Sequence, residues 1–251
     1  MGSSLIEISL RVYNSGMEKE PSVFFSSLFE QRKTVDTLLE ESRTDEDFYI
    51  FLSFASFITT LGLLLDNAVI VIAAMLIAPL LFPILALGMG IVTSSRFAIQ
   101  RSFTVLLKSI AVILGISAIT AFLVSGSYDT YGGNQIVIAS TPDIIFFLAA
   151  FLAGCIAAYT WVRQNVSASL PSVAMTVSLV TPLATVGIAV SILSREMFTG
   201  ALMLFLLNLL AIVVSSTIIF SLFGFSRLQK WQDKKIEEEK KEEENIPQES
   251  V

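Results

Sequence analysis

Six runs of apolar residues, each long enough to cross a bilayer, dominate the chain between residues 48 and 222. They lie at about residues 48–65, 68–92, 103–124, 144–162, 170–193 and 198–222. A hydrocarbon core of about 30 Å takes roughly 20 helical residues at about 1.5 Å each, so each run predicts one membrane-spanning helix. The flanks read differently. Residues 1–47 mix short apolar patches with acids and are too polar for a secretory signal; within them, residues 21–29 have helical apolar spacing and predict an amphipathic cytoplasmic helix leading into the first span. Residues 234–244 read KKIEEEKKEEE, a low-complexity charged run expected to be disordered or a frayed, solvated helix. The expected organisation is an N-terminal segment 1–47, a six-span domain 48–225 and a charged cytoplasmic tail 226–251. The fold class is all-α and polytopic.

Two spans carry internal prolines. Pro79 and Pro83 lie in the second, and Pro182 in the fifth. Each proline removes a backbone donor and crowds the preceding turn, so both spans are expected to break or kink. Ala78-Pro79-Leu80 and Thr181-Pro182-Leu183 are offset by 103 residues. Pro79 follows Ala68 by 11 residues and Pro182 follows Pro171 by 11, a rise of about 16 Å, which sets both near the midplane. If spans one to three and four to six are repeats, each has an odd number of crossings and the halves are inverted. Pro-interrupted spans at corresponding places in inverted halves point to a midplane site of the kind secondary transporters use.

Composition sharpens this picture. The chain is 54% hydrophobic and 15% charged, with no His and one Cys, against roughly 25% charged residues in soluble domains. Residues 49–226 hold five Lys/Arg and four Asp/Glu, too few to cover a soluble surface. Net acidity without a basic cluster excludes a nucleic-acid face. One Cys excludes a disulfide framework, and the absence of His excludes His-based metal sites and His-dependent triads. Paired midplane carboxylates, phosphate loops and ladders of intramembrane charge are also missing from the sequence, so no enzyme, cofactor or metal is expected. With the N-terminus in the cytoplasm, inner connections carry Arg96, Arg101, Lys108, Arg163, Arg227, Lys230, Lys234 and Lys235, while outer ones carry Arg195 beside Glu196. Positive-inside bias therefore favours six crossings in the inner membrane with both termini cytoplasmic. Re-entrant second and fifth spans would move Arg96, Arg101 and Lys108 outside.

Polar groups near the breaks are the candidate contacts. Ser178, Thr181 and Thr185 share one face of the fifth span, and Asn208 is the amide deep in the sixth. Asn67 stands at the mouth of the second. The structural alternative for these side chains is helix-to-helix bonding and bonding back to their own carbonyls. Asp66 reads first as an interface residue or helix cap. Gly88, Gly90 and the Ala/Gly-rich fourth span permit close helix contact, and a homo-oligomer is compatible with them.

The string from Leu61 to Leu80, LGLLLDNAVIVIAAMLIAPL, with Pro83, Gly88 and Gly90 after it, strongly resembles the hallmark of the domain of unknown function 389 family of prokaryotic membrane proteins. Ala139-Ser140-Thr141-Pro142-Asp143, residues 170–187 with Thr181-Pro182-Leu183, and Asn208 fit the same resemblance, which covers roughly residues 35–225. The chain departs from the pattern at Asp66-Asn67-Ala68, where Asn-Ser-Pro is expected, and at Thr181-Pro182, where Pro-Pro is expected. The resemblance also implies a larger cytoplasmic N-terminal domain that this sequence lacks. It implies topology and fold but no substrate.

The expected function is a transporter or channel for a small solute or ion. Its midplane site would lie between the second and fifth spans, with Ala78, Pro79, Pro83 and Pro182 exposing backbone carbonyls and Asn67, Ser178, Thr181, Thr185 and Asn208 adding polar contacts. Expected partners are the lipid bilayer and a small solute or ion. The alternative is a non-transporting membrane scaffold or accessory subunit.

Overall fold

The computed structural model describes the backbone of residues 28–41, 45–124, 132–163 and 169–244, and their side chains other than those of residues 40–41, 169–178 and 239–244. Among the described residues all regular structure is helical. Helix α1 is Leu28–Glu41, α2 Glu46–Leu64, α3 Ala68–Met75, α4 Leu81–Thr93, α5 Arg96–Val124 and α6 Asn134–Ser140. They are followed by α7 Ile144–Val162, α8 Ser169–Ser191, α9 Arg195–Leu222, a 3-10 turn Phe225–Leu228 and α10 Gln229–Glu244.

Among the described residues four helices, α2, α5, α7 and α9, are long and apolar enough to cross a membrane. Their sidedness is that of a membrane protein. Phe51, Phe54 and Phe57 on α2, Phe103, Leu107 and Phe122 on α5, and Leu148, Leu152 and Ile156 on α7 all face outward. Water would not tolerate so continuous an apolar surface, whereas lipid does. The inward faces are built from small and hydroxyl residues. Ala150, Ala153, Gly154, Ala157 and Ala158 of α7 are buried, and a Cβ on Gly154 would collide with Ser215 and lie 3.1 Å from the Ile212 Cα of α9. Backbones approach closely here because no side chain separates them. Buried hydroxyls bond to carbonyls of their own helix: Ser56 to Leu52 at 2.6 Å, Thr60 to Ser56 at 2.7 Å and Ser109 to Val105 at 2.9 Å.

The second apolar run is two helices. Asn67 caps α3, its Oδ1 accepting from the N–H of Val69 at 3.0 Å and of Ile70 at 3.3 Å. Helix α3 stops at Met75, and residues 76–80 carry the chain to α4. Pro79 brings no N–H for the carbonyl four residues before it, so the helix cannot run on through it. A break occurs at Pro79, whereas the helices holding the other two prolines are continuous. Pro83 is the third residue of α4, in the first turn, where its N–H would have had no intrahelical partner. Pro182 lies inside α8, which is unbroken from Ser169 to Ser191. One helical bond is lost there, and packing of α8 against α5 and α9 holds the helix together. The third and sixth runs also begin earlier than their hydropathy indicated, at Arg96 and Arg195, because capping serines rather than apolar residues start them. Ser95 Oγ accepts from the N–H of Ala98 at 3.2 Å and Ser194 Oγ from that of Met197 at 3.4 Å.

Two buried clusters mark opposite ends of the bundle. One joins Leu63, Leu64, Val71, Ala121, Ile136 and Ile188, beneath α6. The other reaches from the bundle interior to Val35 and Leu38 of α1, Phe225 and Ile236 of α10. The described part of the tail is thus not a disordered run: α10 is helical through Glu244 and its first half is docked. Trp231 Nε1 donates to Asp36 Oδ1 at 3.0 Å, and the Arg32 guanidinium lies 4.5 Å from the centre of the Trp231 ring. Gln232 bonds Thr93, Asp233 bonds Ser95, and Gln229 Nε2 donates to the Ser94 carbonyl at 3.1 Å. A charged composition alone predicts solvation, but Trp231 and Ile236 give this helix one apolar edge to bury. The amphipathic stretch expected at residues 21–29 lies almost wholly outside the described residues; α1 begins at Leu28 and packs its Val35, Leu38 and Leu39 edge under the bundle.

Candidate functional site

A cavity of about 210 Å³ lies where α3 ends, between α3, α6, α7, α8 and α9. Val71, Ile72 and Met75 of α3 form one wall, and Ile138 and Ala139 of α6 form the roof with Gln135. Thr181 and Pro182 of α8 and Leu204 and Asn208 of α9 close the opposite side. The lining is apolar apart from one amide of α9, one hydroxyl of α8 and Gln135 at the rim, the pattern of a small-molecule site in which a few polar groups fix orientation. Asn208 is 2% exposed. Thr181 Oγ1 lies 3.7 Å from Met75 Sδ, so α8 and the last residue of α3 touch at the cavity. Met75 is also the residue whose carbonyl Pro79, four positions on, cannot bond.

The roof is held by Asp66. Its Oδ1 accepts from the Gln135 N–H at 2.8 Å and its Oδ2 lies 3.4 Å from Asn134 Nδ2, so the carboxylate caps the start of α6. Asp66 has φ 51°, the left-handed region, which Asp visits more readily than bulkier residues. The turn it makes aims the carboxylate at α6 while Asn67 caps α3. Gly133 suits this close approach, because a Cβ there would stand 3.1 Å from the Asp66 side chain.

Of the residues singled out by sequence, Thr181, Pro182 and Asn208 meet at this cavity. Asn67 is occupied in capping α3. Ala78 and Pro79 lie in the break, Ala78 buried and Pro79 half-buried, and Pro83 is buried in α4. Thr185 is buried and donates to the Thr181 carbonyl at 3.0 Å. The Ser178 side chain lies outside the described residues. Sequence reasoning missed α6 as an element, and with it Gln135, Ile138 and Ala139. It also missed Phe146 and Leu204 as lining. The signal for α6 is short: a glycine pair, Gly132-Gly133, followed by the apolar run from Ile136 to Ala139. Among the described residues, no group of three or more Cys, Asp or Glu side chains is placed to hold a metal ion.

A family model described as "Domain of unknown function (DUF389)" matches residues 75–214, from the last residue of α3 to the middle of α9. An uncharacterized protein of Methanocaldococcus jannaschii is 29% identical over 183 residues, which cover 73% of this chain and 56% of that relative. The chain therefore spans little more than half of the relative's length. No solved structure matches the chain.

Proposed function

The chain belongs to the DUF389 family, whose description names no function, and from the geometry of the site we propose that it is a six-crossing inner-membrane transporter or channel for a small solute or ion. The observation that carries the reading is the cavity at the end of α3: a broken helix, a buried amide and a hydroxyl converge on one small space. Irregular backbone at membrane depth is tolerated where it is packed in protein or lines a cavity, and broken helices in secondary transporters do this at their binding sites. The neutral lining favours a small neutral solute or a weakly held monovalent cation, recognised by carbonyl, amide and hydroxyl groups.

In this reading α3 with α4 makes one crossing and α8 another, which brings the count to six. Support comes from the turn that follows each. Ser94 and Leu193 are 99 residues apart and both have φ 55°. Ser95 N–H donates to Gly90 O and Ser194 N–H to Ala189 O, each at 3.0 Å. The serine caps follow at the same interval, then Arg96 and Arg195. Pro83 and Pro182, Gly88 and Gly187, and Ser117 and Ser216 keep the interval of 99. Gly88 packs on Ser216 across α4 and α9, and Gly187 on Ser117 across α8 and α5, the exchange of partners that two equivalent halves would make. Helices α2 and α7 are each 19 residues long and each begins after an aspartate, Asp45 or Asp143. The register of 99 replaces the offset of 103 read from the proline strings, pairing Pro182 with Pro83 instead of Pro79. The bias of Arg96, Arg101, Lys108, Arg163 and Arg227 to the α10 end supports cytoplasmic termini. The scaffold alternative draws less support, because the first half of α10 is folded against the chain itself.

The test is flux in proteoliposomes with a panel of Na⁺, K⁺, glycerol and urea. The expected result is faster equilibration of at least one of these than in protein-free vesicles. Folded protein that moves none of them favours the scaffold.

A further inference from the structure

The cavity is built from residues of both halves, so the repeat gives each of them a counterpart. Thr181 and Pro182 correspond to Phe82 and Pro83, Leu204 to Val105, and Asn208 to Ser109, all at the interval of 99. Phe146 corresponds to Phe48, each the third residue of its 19-residue helix. Two halves of like fold can each adopt the other's conformation.

The counterparts are shut. Phe48, Pro83, Val105 and Ser109 are buried, and Ser109 at 0% exposure bonds the Val105 carbonyl of its own helix. Phe82 stacks edge-on against Trp161 with ring centres 5.6 Å apart. The short helices that follow each half complete the correspondence. Helix α6 follows the first half and packs on α9 over the cavity, while α10 follows the second half and packs on α5, the helix that carries Val105 and Ser109. One local difference separates the halves: the span of the first is broken at residues 76–80, whereas α8 is continuous through its counterpart.

We propose that Phe82, Pro83, Val105 and Ser109, with Phe48, form a second, alternating solute-binding pocket that opens toward the α10 end when the observed cavity closes. It takes the same class of small neutral solute or monovalent cation as the cavity at Asn208, with the Ser109 hydroxyl in the place of the amide. The inference rests on the transporter reading. The observed conformation is then the one open to the α6 side, and a solute passes between the two pockets as the halves exchange shapes.

The test is labelling by a membrane-impermeant maleimide, in sealed vesicles of either orientation, of single cysteines in a Cys155→Ala background. Asn208→Cys is expected to react from the α6 side. Ser109→Cys and, as a second variant on the same helix face, Val105→Cys are expected to react from the α10 side. Prior modification of Asn208→Cys is expected to suppress labelling of Ser109→Cys in the double variant. Ser117→Cys, buried two turns along α5 against Gly187, should stay unreactive and so exclude general loosening. If flux of the panel solutes is present but Ser109→Cys and Val105→Cys react from neither side, the second pocket is overturned and the transport reading stands. If flux is absent and no cavity cysteine reacts, both fall together.

Discussion

Replacing Gly187 with Leu is expected to prevent the chain from folding into a stable bundle. A Cβ at this position would stand 2.6 Å from Ser117 Cβ, 3.0 Å from the Leu114 carbonyl oxygen and 3.1 Å from the Ala118 nitrogen. Two of these three are backbone atoms of α5, so a change of side-chain rotamer cannot make room and the helices must separate. Overpacking of a tight core costs about 1–3 kcal/mol and occasionally more, and here separation also draws buried Ile113 of α5 away from α8, which carries buried Leu183. Gly88→Leu is expected to act in the same direction through Ser216 of α9, less severely, because the atoms first met belong to a small side chain. Gly115→Ala is the control. Nothing lies within 4 Å of a Cβ there, and Ala is a better helix former by about 1 kcal/mol. Size-exclusion chromatography and thermal unfolding in detergent separate these outcomes: loss of the monodisperse peak for Gly187→Leu, a lowered Tm for Gly88→Leu, and an unchanged or raised Tm for Gly115→Ala. A normal Tm for Gly187→Leu would contradict the packing described.

The second large effect is expected on function with the fold intact. Asn208→Leu keeps the number and branching of the side-chain heavy atoms and replaces the amide with two methyl groups, whose extra volume the neighbouring cavity can take up. In a cavity otherwise lined by Met75, Ile138, Leu204 and Pro182, a leucine at this position is well accommodated, so stability should hold. Solute recognition should not. Losing one or two polar contacts of about 0.5–1.5 kcal/mol each lowers transport of the panel solute by about tenfold. Unchanged flux in folded Asn208→Leu protein would remove the amide from the pathway.

Much of the architecture was legible in the sequence because hydropathy and helix length obey the same bilayer constraint. The six runs map onto α2, α3 with α4, α5, α7, α8 and α9. The break at Pro79 was legible because a missing N–H in mid-span has few remedies. Pro83 and Pro182 leave their helices unbroken because the cost of a proline depends on position and neighbours: one falls in a first turn, and the other is held between α5 and α9. The seven residues of α6 gave too short a pattern to distinguish a helix from a loop, so the roof of the cavity was invisible until Asp66 was seen to cap it. Trp231 and Ile236 mark a docked face of α10 only once Asp36 and the Thr93–Ser95 turn are beside them. At the site, Thr181, Pro182 and Asn208 were found because polar groups and prolines are conspicuous in apolar spans. Met75, Phe146 and Leu204 were not, because an apolar lining residue looks like any other apolar residue.

The proposed transport cycle requires two halves of opposite orientation, and Ser94 and Leu193 test that relation most directly. They occupy equivalent left-handed turns, and both side chains are exposed, Leu193 by 90%. In a Cys155→Ala background, Ser94→Cys and Leu193→Cys should react with an impermeant maleimide from opposite faces of sealed vesicles, Ser94→Cys from the face that carries α10. Reaction of both from the same face would contradict the inverted halves and the transport mechanism built on them.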